Sequence, residues 1–160
     1  MTLFKKNTLA FSLVEVALAI GVAAFSLLII AALLPVSVKT NQASGNQTVA
    51  NGIISQVAND LRAAARLPPG QASKEFSLHG PNWPWDPTPQ YIYFNYNAKP
   101  NDTNHSVTAP ADAIYRVTLV YRQPPVDTTS LADIKVTWPA AQSDLTKVAG
   151  SVEMFVAINR

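Results

Sequence analysis

Hydrophobic and polar positions divide the chain into three stretches of different period. Over residues 11–38 almost every position is apolar, and residues 16–38 carry no charge. About 23 uncharged residues at ~1.5 Å each make a helix of ~34 Å, which matches a hydrocarbon layer of ~30 Å. Pro35, near the far end, predicts a kink or a stop. Over residues 47–67 the apolar positions become periodic. Val49, Ile53, Val57 and Leu61 recur every fourth residue, with Ala50 and Ile54 beside them. That stripe predicts an amphipathic helix, and "RLPPG" at residues 66–70 ends it. The polar stretch "KTNQASGNQT" joins the two, and its Gly45 weakens helix by up to ~1 kcal/mol. One long helix is the simplest joining; a break between Pro35 and Gly45 is the alternative.

Beyond Gly70 the period falls from four to two. "EFSLH" (75–79) predicts a short strand, and the aromatic "YIYFNY" (91–96) a second. In "AIYRVTLVYR", Tyr115, Val117, Leu119 and Tyr121 share one face, with Arg116, Thr118 and Arg122 on the other. "DIKVTW" groups Ile134, Val136 and Trp138 opposite Lys135 and Thr137, and "SVEMFVAI" groups Val152, Met154, Val156 and Ile158. Clusters of Pro, Asn and Asp separate these runs, as turns do. One apolar face per strand suits an antiparallel sheet covered by the amphipathic helix. The predicted fold class is α+β: a long N-terminal hydrophobic helix continues into an amphipathic helix packed on a small antiparallel sheet.

Composition narrows the function classes. A net charge of +2 without a long basic run gives nucleic-acid binding little support. Without cysteine there are no disulfides, thiolate nucleophiles or cysteine metal sites. His79 and His105 lack metal-ligand spacing and read as solvent-exposed loop residues, since zinc needs three or four ligands. Asn101, Asp102 and Asn104 offer oxygen atoms but a single carboxylate, too few for a calcium site, so a polar turn is expected. Ser12 and Ser26 lie in the apolar run, and no Ser-His-Asp arrangement is legible. The expectation is a protein that is not an enzyme and uses no metal or cofactor. Arg62 and Arg66 read as a solvated helix face. "HGPNWPWDPTP" (79–89) packs four prolines and two tryptophans into a stiff loop. Trp83 and Trp85 are either core or anchors for a partner, tryptophan being enriched at binding hot spots.

The residue that most needs explaining is Glu15, close to the start of the apolar run. An unpaired carboxylate among lipid costs on the order of 2.5–3.5 kcal/mol on insertion scales. A secretory signal peptide does not fit, because the run exceeds the usual 7–15 residues and "PVSVKT" is a poor cleavage site. A plain signal anchor with Glu15 reaching the interface fits better. Lys5 and Lys6 before the run outnumber Lys39 after it, which places the N-terminus in the cytoplasm and the bulk of the chain outside. A third possibility accounts for the charge positively. Cleavage between Ala10 and Phe11 would create an α-ammonium on Phe11, with a reference pKa of ~7.7–8.0. A neighbouring chain staggered by one helical turn would then neutralise Glu15 with that cation.

These residues resemble the type IV prepilins, including the pseudopilins of type II secretion. The basic leader with Lys5 and Lys6, the small Ala10, and "FSLVE" opening at Phe11 with Glu15 fifth carry the resemblance. Within that family the chain looks most like the prepilin-like proteins of the Verru_Chthon cassette protein B group, through this run and a short domain ending "VTWP…VEMFVAINR". Two positions depart from the pattern: Ala10 stands where glycine is usual, and Pro35 falls later than the family's proline often does. The resemblance implies cleavage by a prepilin peptidase and N-methyltransferase, methylation of Phe11, and assembly with other pilin-like subunits through the N-terminal helices. It implies an inner-membrane protein with its C-terminal domain in the periplasm, serving a type IV pilus or secretion pseudopilus. The expected organisation is a leader (1–10), a transmembrane and assembly helix (11–38), an amphipathic helix (39–69) and a β-rich domain (70–160). The alternative is a signal-anchored binding protein that uses the Trp/Pro-rich loop.

Overall fold

The computed structural model describes residues 12–68, 70–80, 88–122 and 129–159. Helix α1 runs over Leu13–Ala64, 52 residues, with Pro35 inside it. Neither the predicted stop at Pro35 nor the break before Gly45 occurs. Proline removes one intrahelical hydrogen bond and costs ~3 kcal/mol, a defect that a helix with many bonds on either side can carry. Hydroxyls in this part bond back to their own helix: Ser26 Oγ donates to the Val22 carbonyl at 2.8 Å and Thr40 Oγ1 to that of Val36 at 2.9 Å. The chain falls into two compact units, one ending at Gln42 and one beginning at Ala43.

In the first unit every described side chain is exposed, Leu13 at 86% and Phe25 at 65% among them. The helix is apolar all round, which suits a surrounding apolar medium rather than one packed face. By length and composition it is able to cross a membrane.

The second unit contains the remainder of α1 and a five-stranded antiparallel sheet. Its strands are β1 (Gln90–Phe94), β2 (Pro100–Asp102), β3 (Tyr115–Tyr121), β4 (Thr129–Trp138) and β5 (Gly150–Asn159), in the spatial order β2-β1-β3-β4-β5. The helix stripe enters the core as expected. Ala50, Ile53, Val57 and Leu61 are fully buried, and Val49 is partly so. They pack with the inward residues of β3 and β4, namely Tyr115, Val117, Leu119, Ile134 and Val136. Fully burying each such side chain contributes ~1.5–3 kcal/mol. On β5 the inward set divides: Val156 and Ile158 are buried, while Val152 and Met154 pack at the margin.

Two expectations need correction. "EFSLH" forms no strand, although Phe76 and Leu78 are fully buried. These residues form a turn pinned to the helix. The buried Asp60 carboxylate accepts from the Ser73 hydroxyl and from the Phe76 amide, the latter at 3.1 Å. Ser73 Oγ in turn accepts from the Leu78 amide at 2.9 Å. An isolated bridge, Ala72↔His79, closes the turn, and Ser77 sits at φ 54°. Local side-chain bonds thus replace a ladder.

The outer face of the sheet is also less polar than its alternation implied. Tyr93, Ala113 and Ala140 form a small second cluster with Tyr91 and Ala109. Arg116 is buried beside it, its guanidinium donating to the Gln142 carbonyl at 2.9 Å and lying 5.9 Å from the Tyr91 ring centre. Gly150 faces Trp138 across the β4–β5 ladder, and a Cβ there would overlap the indole ring.

Candidate functional site at the N-terminal helix

Glu15 lies in the first turn of α1. The helix is already hydrogen-bonded there, since the Val16 amide donates to the Ser12 carbonyl at 3.1 Å. Ser12 directly precedes the helix and Glu15 is its third residue, which is the spacing of an N-terminal capping box. The same signal is legible in the sequence as Ser-x-x-Glu before an apolar run. It supplies a local reason for an acid at this position, because the N-terminal end of a helix dipole favours negative charge by about 0.3–1 kcal/mol. That gain is smaller than the ~2.5–3.5 kcal/mol cost of a carboxylate in lipid. That cost is reached at the helix centre, whereas Glu15 stands in the first turn.

The surroundings of Glu15 are apolar. It borders a shallow face made with Val16, Ala19, Ile20 and Ala23, where two alanines one turn apart leave room for close approach. Among the described residues no cation forms an ion pair with it. Ala10 and Phe11, the expected cleavage and methylation positions, lie outside the described residues, as do Lys5 and Lys6. Trp83 and Trp85 of the Pro-rich loop also lie outside them.

The remaining candidates are in the second unit. His79 and His105 are half-buried rather than exposed, and their ring centres are 6.1 Å apart. His105 Nδ1 lies 3.0 Å from the Tyr91 carbonyl oxygen and Nε2 2.9 Å from that of Ser77. With both nitrogens directed at backbone carbonyls, this ring serves to join two segments and is not free to ligate a metal. Asn101 Nδ2 donates to Asp112 Oδ1 at 2.9 Å, and Asp102 Oδ1 accepts from the Asn104 amide at 2.8 Å. Asn101 and Asp102 belong to strand β2, so the expected polar turn is corrected: the chain turns only beyond Asp102, where its carboxylate holds the Asn104 amide. Among the described residues no three His, Asp or Glu side chains gather at metal-binding distance.

No family model matches this chain, and neither the curated proteins nor the solved structures searched include a match.

Proposed function

We propose that the chain is a prepilin-like envelope protein, cut between Ala10 and Phe11 and methylated at Phe11. It acts as a structural subunit or minor component of a type IV pilus or secretion pseudopilus. A prepilin peptidase and N-methyltransferase would process it, and other pilin-like subunits would receive its helix. One observation carries this reading: Glu15 stands on an all-round apolar helix without a cation partner among the described residues. The new α-ammonium of a neighbouring Phe11 would supply that partner, and the Ala19 and Ala23 face beside Glu15 would let a second helix approach. The α+β architecture agrees with such a subunit.

Mass spectrometry of the membrane-extracted protein tests the proposal. The mature chain is expected to begin at Phe11 and to carry one extra methyl group. A chain that retains Met1 or Thr2 on assembled molecules would overturn it.

A further inference from the structure

The sheet ends on β5, a long edge strand. β5 is ten residues long and stands at the edge, paired with β4 in unbroken register from Thr129↔Asn159 to Trp138↔Gly150. Long edges are ordinarily blunted by charged side chains, proline, a bulge or a covering loop, because their free N–H and C=O groups accept any extended chain; β5 carries one such charge, Glu153. Residues 150–159 contain no proline, lysine or arginine. Among the described residues, no backbone hydrogen bond from outside the sheet reaches them.

The side chains along this edge specify what it receives. Arg62 in the last turn of α1 and Arg66 in the turn just past its end line a cleft of about 200 Å³ with Ala157 and Ile158 of β5. Arg62 Nη1 donates to Asn59 Oδ1 at 3.2 Å, and among the described residues neither arginine has a carboxylate within ion-pair distance. Two residues before Ala157 on the same strand, Phe155 is 57% exposed. The only charge on β5 is Glu153, which Lys135 holds at 2.9 Å. A second copy of β5 therefore brings no free acid to the arginines.

We propose that the free edge of β5 docks an extended polypeptide segment of a partner protein, whose carboxylates on one face meet Arg62 and Arg66 while its apolar face covers Phe155. Main-chain hydrogen bonds would supply affinity, and the alternating side chains the specificity. This site lies entirely in the second unit and does not depend on how the N-terminus is processed.

The test uses the full chain in lipid nanodiscs and a fluorescein-labelled decapeptide of alternating valine and glutamate, with a valine–lysine decapeptide as its counterpart. Fluorescence anisotropy is expected to show binding of the glutamate peptide alone, weakening as salt rises. Amide exchange should show new protection on β5. Arg62 and Arg66 are exposed, so the double variant Arg62→Glu/Arg66→Glu should keep its circular dichroism and bind about tenfold more weakly. Equal binding of the two peptides, an unchanged affinity in the double variant, protection elsewhere, or no binding would each overturn the proposal. Protection of β5 by self-association without peptide would also overturn it, in favour of a second copy as occupant.

Discussion

Glu15 shows how far a single side chain can be explained by weighing magnitudes. Its place in the first turn of α1 gains up to ~1 kcal/mol, against an insertion cost that reaches ~2.5–3.5 kcal/mol at the helix centre. Glu15→Gln and Glu15→Ala are therefore expected to enter the membrane at least as well as the wild type. Both should lose subunit assembly, scored by cross-linking in intact cells; unchanged assembly would remove the charge-pairing proposal. Tyr121 gives a second prediction. Its hydroxyl donates to the His79 carbonyl at 2.6 Å, and burial pushes its ionisation well above the ordinary tyrosine range. Because the folded pKa is raised, stability is fully present below ~10, where unfolded tyrosine begins to ionise, and falls as pH rises further. Tyr121→Phe should cost about 1 kcal/mol near neutrality and make stability above pH ~10 less steeply pH-dependent, as read from denaturant midpoints at several pH values.

At the scale of elements, what the sequence made legible was the periodicity that tertiary packing reinforces. The stripe Ile53, Val57 and Leu61 and the alternation of Val117, Leu119, Ile134 and Val136 are all buried as their spacing required. Where a local bond competes with the period, spacing misleads. Phe76 and Leu78 alternate like a strand, yet Asp60, 16 positions before Phe76, turns their backbone into a loop. A buried carboxylate whose partners lie so far along the chain leaves no local pattern. Asp60→Ala is expected to cost about 2–3 kcal/mol, since it leaves the Phe76 amide and the Ser73 hydroxyl without their acceptor, and Ser73→Ala less. Urea titration of both variants checks the order. The buried outer-face Arg116 was equally hidden, because its cover comes from loops whose course no period announces. For the N-terminal helix, Glu15 was legible as an acid in an apolar run. Its Ser12-x-x-Glu15 spacing, a capping pattern, is equally legible there.

For the molecule, the division at Gln42 separates a part that buries nothing from a part that holds the entire described core. Every buried residue among those described lies at Ala50 or beyond. A fragment beginning at Ala43 is accordingly expected to unfold in one cooperative step by circular dichroism, whereas a broad, gradual loss of signal would show that the apolar helix contributes to folding. The two classes of glycine in this architecture extend the same contrast. At Gly45 an added methyl meets nothing within 4 Å, so Gly45→Ala should gain about 0.5–1 kcal/mol of helix stability, seen as a higher melting temperature. Gly150→Ala should lower it, because the methyl group has no room beside the indole of Trp138. In a library randomised at both positions and sorted for folded protein, position 45 should return a broad spectrum of residues. Position 150 should return glycine, unless Trp138 has been exchanged for something smaller, and the two sites would then drift only as a pair.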